Sequence, residues 1–292
     1  MPKTNLHPAQ QFVAPSSMQL GVPLKDLMDR RLVALIGQSL AAVVPGFDAR
    51  RFQTRAVRDL AALELKERAL AIAEAMAEQL PAEFEKAAPL LIQALGPPLE
   101  ATEGNGLATF FYLPHSQLIA TRGTLHFASG MATNYELTQR FTAEFSIRPF
   151  LIEHRNESLK LLTRWAKDPS PHVRRLVSEG TRPRLPWAMR LPEFQADPQL
   201  ALPLLEALKD DPELYVRRSV ANHIGDIAKD HLDFALDLCE SWLKQVAKSD
   251  DAQAENRRWI VRHAVRHPAK KEHDRAGQIR LLATKARHGK RA

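Results

Sequence analysis

Charged and amide side chains recur at helical spacing in the second half of this 292-residue chain. Arg175 and Glu179 lie four residues apart and therefore share one face of a helix. Arg218, Asn222 and Asp226 repeat this spacing further along the chain. If the two helices stack, the stripes would lie side by side as a polar wall of mixed charge. The plainer interpretation of Arg175 and Glu179 is an ordinary surface ion pair, worth less than about 1 kcal/mol.

Two histidines continue the pattern in a third segment. His263 and His267 are also four residues apart, which is the spacing of two metal ligands on one helix face. No third ligand and no neighbouring glutamate completes a zinc motif, so we predict no metal site. The sequence also lacks a phosphate-binding glycine loop, a dinucleotide fingerprint and a serine nucleophile elbow.

The three stripes belong to an internal repeat. The segment DPSPHVRRLV at 168–177 resembles DPELYVRRSV at 211–220, which begins 43 residues later, and a weaker copy lies at 259–265. Periods of this size with helix–turn–helix patterning are typical of HEAT-like repeats. Strand-type alternation is nearly absent, so we predict an all-α fold. Stacked helix pairs would form a C-shaped solenoid, an α-α superhelix, with a concave cleft lined by residues 144–226.

The positive charge is concentrated at the C-terminal end. The whole chain carries a formal charge of +7, whereas residues 256–292 hold twelve Lys and Arg against Glu272 and Asp274. That segment therefore carries +10 and the remainder −3. A basic end can anchor to nucleic acid by neutralising phosphates and releasing counterions. A solvated tail that only aids solubility is the alternative.

The sequence also indicates the domain boundaries and the cellular compartment. We predict a flexible leader at 1–22, a repeat domain at 23–268 and a basic tail at 269–292. The only cysteine, Cys239, excludes an intrachain disulfide. The sequence has no run of about 18 apolar residues, which is the length needed to span a membrane. These features favour a protein of the reducing cytoplasm.

Several longer motifs resemble one known family. The run HVRRLVSEGTRPRLPW at 172–187 is followed by YVRRSVANHIGDIAKDH at 215–231. Upstream lie FSIRPF at 145–150, preceded by Glu144, and LELKERALAIAEAM at 63–76. Together they resemble the AlkC-type DNA alkylation repair glycosylases of the AlkD-like HEAT-repeat superfamily. The resemblance covers roughly residues 23–245.

This resemblance implies a monofunctional DNA N-glycosylase, a hydrolase that begins base excision repair. Such enzymes hydrolyse the N-glycosidic bond of bases made cationic by alkylation, such as 3-methyladenine. The implied partner is double-stranded DNA containing alkylated bases, with no metal, organic cofactor or membrane. We expect a monomer that works in the cytoplasm on the nucleoid.

The resemblance also implies which residues do the chemistry. Glu144, Glu179 and Asp226 match acidic positions expected at the lesion. Their negative charge would stabilise the positive charge that develops on the sugar, and Asp226 or Glu144 would position the water. Trp187 would pack against the base or the sugar.

The remaining candidates are DNA-binding residues. Arg148, Arg175 and Arg218 would contact phosphates or hold carboxylates ionised, with Asn222 beside them. A non-catalytic HEAT scaffold that binds DNA or protein, or a relative that has lost activity, would share the fold. Carboxylates in a DNA-facing groove favour chemistry, because they repel phosphates and give a pure DNA binder no advantage.

Overall fold

Helices and loops account for all the residues that the structure describes. The structure is a computed structural model that describes residues 6–285. No strand occurs between those limits, which confirms the predicted all-α class. The chain divides after His154 into two compact units.

The first unit is built from eight α-helices and four short 3-10 helices among its described residues. The α-helices are α1 (Pro8–Gln11), α2 (Arg30–Ala41), α3 (Ala49–Ala56), α4 (Leu65–Ala77), α5 (Phe84–Ala94), α6 (Leu113–Arg122), α7 (Phe127–Thr138) and α8 (Arg148–Glu153). The 3-10 helices span Leu24–Leu27, Leu60–Ala62, Gly106–Tyr112 and Thr124–His126. Helix α4 packs on α3 and α6, and α5 packs on α2 and α7.

The predicted flexible leader is folded where the structure describes it. Helix α1 forms inside this segment, capped by the His7 side chain, which accepts from the Ala9 N–H. Phe12 is buried, and its ring centroid lies 6.0 Å from that of Phe111. Burial of Phe12 and packing of α1 on α2 hold this segment against the unit, which its proline and polar residues alone do not predict.

The second unit contains nine α-helices and one 3-10 helix among its described residues. The α-helices are α9 (Arg155–Trp165), α10 (Pro171–Gly180), α11 (Pro192–Ala196), α12 (Leu202–Leu208), α13 (Leu214–Ile227), α14 (Leu232–Gln245), α15 (Ala252–Ala264), α16 (Arg266–Lys270) and α17 (Asp274–Lys285), with a 3-10 turn at Pro198–Ala201. Helices α10, α13, α15 and α17 pack successively in one layer. Helices α9, α12 and α14 pack beside them.

Equivalent arginines verify the 43-residue repeat at the level of hydrogen bonds. Arg174 donates to the carbonyls of residues 168 and 169 at 2.9 and 3.0 Å. Arg217 donates to the carbonyls of residues 211 and 212 at 3.0 and 2.6 Å. Arg174 also forms a two-point ion pair with Asp211, which joins one repeat to the next. The sequence repeat is therefore a structural repeat.

The predicted basic tail is also helical over most of its length. Helix α17 buries Ala276, Ile279 and Ala283 and packs on α14 and α15. Arg275 pairs with Asp237 and Glu240 of α14. A short apolar stripe and these ion pairs fold this segment, while residues 286–292 lie outside the described residues. Among the described helices, none combines the length and apolar character needed to cross a bilayer.

Candidate functional site

Two of the predicted acids, Glu179 and Asp226, bind the same arginine in the second unit. Arg182 Nη1 donates to Glu179 Oε1 at 2.7 Å, and Arg182 Nε donates to Asp226 Oδ2 at 2.7 Å. Arg182 Nη2 also lies 2.7 Å from Asp226 Oδ2. Glu179, Arg182 and Asp226 are all buried, and we call these three residues the Arg182 network.

The helical repeat brings the Arg182 network together. Glu179 lies in the last turn of α10, Asp226 lies in the last turn of α13, and these two helices pack against each other. Arg182 lies two residues after the end of α10. Ser219 Oγ, from α13, donates to Glu179 Oε2 at 2.6 Å and completes the link between the two repeats.

The expected surface ion pair is a buried one. Arg175 Nη2 lies 3.3 Å from Glu179 Oε1, but their side chains are only 14% and 8% exposed. The sequence spacing predicts the contact and misses the burial, because burial follows from the packing of α13 on α10. A buried pair is costly to break, since loss of one partner leaves an uncompensated charge.

The surrounding cations determine the charge state of Glu179. Burial alone would raise the pKa of this carboxyl, but Arg175, Arg182 and the Ser219 hydrogen bond hold its pKa below the usual value. Asp226 has a second cation, because Lys229 Nζ donates to its Oδ1 at 2.7 Å. The Lys229 side chain is 55% exposed, so it lies between buried Asp226 and solvent. The site thus holds two carboxylates among three cations.

A buried histidine beside the network is neutral at physiological pH. His223 Nδ1 is 3.0 Å from the Ser178 carbonyl, and the ring is fully buried. Burial, together with the charge of nearby Arg182, lowers the pKa of His223 to about 4. Between pH 6.5 and 4 the unfolded chain therefore binds a proton at this position that the folded chain does not.

We expect acidification through this range to destabilise the protein. Because the folded-state pKa of His223 is lowered, its contribution to stability is present above pH 6.5 and decreases as the pH falls toward 4. The expected loss is up to about 1.4 kcal/mol per pH unit for this histidine. A His223→Asn variant keeps a donor for the Ser178 carbonyl and should lose stability less steeply. Urea unfolding at several pH values measures both slopes, and equal slopes would contradict this interpretation.

Trp187 is presented by a loop that is tied to α13. Its side chain is 56% exposed, which is unusual for tryptophan, and its backbone has φ +65°. Arg182 anchors the start of the loop to Asp226. Two residues on, Arg184 binds both carboxylate oxygens of Asp230, with its Nε donating to Oδ2 at 2.6 Å. The loop therefore has a fixed base and an exposed aromatic side chain.

The other predicted DNA-binding residues of this unit continue along the stripe. Arg218 is exposed, and Asn222 is half-buried. Arg266 Nη2 donates to Asn222 Oδ1 at 2.8 Å, which connects α13 to α16. The His263 ring stacks on the Trp259 ring, with 5.0 Å between the ring centroids. The pKa of His263 is lowered to about 4, chiefly by burial. No group of three metal-ligating side chains occurs in the described part of the chain.

Glu144 and Arg148 belong to the first unit. Glu144 is buried, and the Thr142 hydroxyl donates to its Oε2. Next to it, the Ser146 hydroxyl donates to Asn134 Oδ1 at 2.6 Å, which fixes the turn before α8. Arg148 begins α8 and is fully buried. Its burial favours a role in holding other groups over direct contact with a phosphate.

Sequence reasoning missed three members of this site. Arg182 is the shared partner of both acids, and the candidate residues from the sequence do not include it. Arg182 lies three residues after Glu179, and Lys229 lies three residues after Asp226. This spacing could have indicated both cations as partners of the acids. Ser219 carried no such signal, because its partner lies 40 residues away in the sequence.

The chain is similar to known proteins both in sequence and in structure. No protein-family model matches it. The uncharacterized protein YhaZ of Bacillus subtilis (strain 168) is 32% identical over 249 residues, which are 85% of this chain and 65% of that protein. The solved structure of Pseudomonas fluorescens alkylpurine DNA glycosylase AlkC, bound to DNA containing an abasic site analogue, superposes with a TM-score of 0.77. The two sequences are 35% identical, and the match covers 89% of this chain and 68% of AlkC.

Stacked helix pairs with an acid–arginine network between repeats define a helical-repeat protein. The identity with AlkC, over more than two thirds of that protein, specifies the family: the chain belongs to the AlkC family.

Proposed function

We propose that the protein is a monofunctional DNA glycosylase that removes cationic alkylated bases, such as 3-methyladenine, from duplex DNA. The observation that carries this proposal is the match to AlkC, whose structure contains DNA with an abasic site analogue. An abasic site is the product that base removal leaves in DNA. We further propose that the protein acts as a monomer in the cytoplasm, on the nucleoid.

The reaction needs little help at the leaving group, because a cationic base departs as a neutral molecule. The glycosidic C–N bond breaks, its electron pair stays with the base, and positive charge develops on the sugar. A water molecule then adds at C1′ and gives up one proton to the carboxylate that orients it. An ionised carboxylate stabilises this transition state and orients the water.

The acids divide these tasks in our proposal. Glu179 stays ionised at neutral pH, because its pKa is held low by the neighbouring cations. Asp226 or Glu144 positions the water. Arg182 is a positioning residue that sets the orientation of Glu179 and Asp226 through hydrogen bonds of 2.7 Å. No metal or organic cofactor is required for this chemistry.

The cations serve two purposes in this scheme. Arg175 and Arg182 neutralise Glu179, and we assign the exposed Arg218 to contact with a DNA phosphate. Arg148 is fully buried, so we assign it to holding other groups in place and not to a DNA phosphate. Asn222, already bonded to Arg266, lies on the same stripe as Arg218 and Asp226.

Replacing Trp187 should separate function from stability. The residue adopts a left-handed φ of +65° that costs a non-glycine residue about 1 kcal/mol, so Trp187→Gly removes strain as well as the ring. We expect a change in unfolding free energy of no more than about 1 kcal/mol. Loss of base–aromatic stacking, worth about 1–3 kcal/mol, should slow excision by roughly 5- to 150-fold. Exposed Met189 provides the control, and Met189→Ala should excise normally. Normal excision by Trp187→Gly would exclude the stacking role.

Abasic sites provide the test of the proposed function. Purified protein is incubated with methylated duplex DNA, and half of each sample is then treated with alkali. A monofunctional glycosylase gives breaks only after alkali, whereas the untreated strand stays intact. If DNA is bound but neither half is cleaved, the protein is a non-catalytic HEAT scaffold.

A further inference from the structure

A groove lined by arginines lies in the first unit, on helix α3. It encloses about 450 Å³, and its lining includes Arg50, Arg51, Arg55 and Arg58. Arg51 and Arg55 are four residues apart on one face of α3, and Arg58 lies two residues beyond the end of that helix, in the following turn. Phe52 and Ala56, on the opposite face, are buried. Helix α3 is therefore held by its apolar side and presents its cations to the groove.

The acids of the groove already have partners. Asp48 Oδ1 accepts from the Arg51 backbone N–H at 2.9 Å as the N-cap of α3. Glu78 Oε1 accepts from Arg55 Nε at 2.8 Å. These contacts leave Arg50, Arg51 and Arg58 exposed, with no side-chain ion pair to any residue between 6 and 285. With four arginines against Asp48 and Glu78, the lining of the groove carries a net charge of +2.

We propose that this groove binds the phosphodiester backbone of DNA, outside the site of base removal. Arginine recognises phosphate oxygens through two parallel hydrogen bonds, so an arginine face suits a polyanion better than a single ion. Arg51 and Arg55 are about 6 Å apart along α3 at 1.5 Å per residue, and Arg58 extends the row beyond the end of the helix. A DNA strand carries one phosphate per about 3.4 Å of helix axis, so two or three phosphates fit this length.

The lining of the groove favours nucleic acid over a membrane. Thr54 is the neutral residue among its lining residues, and the exposed large apolar side chains of the described chain lie elsewhere. An interfacial membrane site combines basic residues with apolar ones that enter the acyl boundary. The inference rests on the proposed function only in taking duplex DNA as the ligand.

The test compares salt dependence between two variants of equal charge. Arg50, Arg51 and Arg58 are replaced together by glutamine. The control replaces Lys160, Arg164 and Lys167 by glutamine, because these three residues lie on or just after α9 and are equally exposed. Binding of full-length protein to undamaged duplex DNA is measured by fluorescence anisotropy between 50 and 300 mM salt. Thermal unfolding of both variants verifies that they remain folded.

The proposal predicts a shallower salt dependence for the α3 variant. Each lost phosphate contact should reduce the slope of log affinity against log salt by about 0.9, giving a decrease of about 2–3 for the triple variant. The control should keep the wild-type slope. A wild-type slope for the α3 variant overturns the inference and leaves the proposed function intact. Lost binding to anionic vesicles with unchanged DNA binding would overturn it too.

Discussion

Replacing Arg182 by methionine is expected to lower the free energy of unfolding by about 3–5 kcal/mol at neutral pH. Arg182 neutralises two buried carboxylates at once, with contacts of 2.7 Å to both. Its removal leaves Glu179 with Arg175 at 3.3 Å and Asp226 with the half-exposed Lys229. Chemical unfolding of the variant and of wild type measures the loss.

A matched control comes from the neighbouring repeat contact. Arg174→Met removes an arginine of similar burial that pairs with one carboxylate, Asp211, and should cost less. The deficit of Arg182→Met should also shrink on acidification. The lowered pKa of Glu179 contributes stability above its unfolded pKa, and this contribution disappears as pH falls through the folded pKa. If Arg182→Met lowers the free energy of unfolding no more than Arg174→Met does, Arg182 does not neutralise both carboxylates.

Asp226→Asn is expected to slow release of 3-methyladenine by about 10²–10³ while leaving affinity for undamaged DNA nearly unchanged. The substitution preserves shape and removes a charge that acts mainly in the transition state, so its loss appears in the chemical step. The magnitude, about 2.7–4 kcal/mol, follows measured losses of a preorganised electrostatic contact. Glu144→Gln should have an effect of the same kind. Single-turnover kinetics measures the excision rate, and anisotropy measures binding.

The matched control for this experiment is Asp211→Asn. Asp211 is a buried aspartate paired with Arg174 between repeats, so its loss imitates the structural cost of losing Asp226. We expect both variants to melt at lower temperature and only Asp226→Asn to excise slowly. Wild-type excision by Asp226→Asn, with reduced stability, would reduce Asp226 to a structural role.

The repeat and the stripes could be read from the sequence because they depend on local spacing. The 43-residue period predicted that residues of α10 and α13 would lie side by side, and Glu179 and Asp226 indeed share Arg182. Burial could not be read this way, since the packing of α13 on α10 determines it. Arg175 and Glu179 do form the expected ion pair, but its expected position at the surface was wrong for that reason.

Segments outside the repeat were harder to predict. Phe12 and helix α17 fold against their units through contacts with residues distant in sequence, which composition does not reveal. Trp187 was singled out by its proline-rich setting, and its loop is held by Arg182 and Arg184. The convergence of Glu144 with the other two acids and the C-shaped cleft stay predictions.

In our proposal this protein breaks the bond between an alkylated base and its sugar. The most direct measurement is mass spectrometry of free 3-methyladenine released from methylated duplex DNA by the purified full-length protein. We expect release far above the spontaneous rate, in amounts equal to the abasic sites formed. Spontaneous release alone, by protein that is folded and bound to the same DNA, would contradict it.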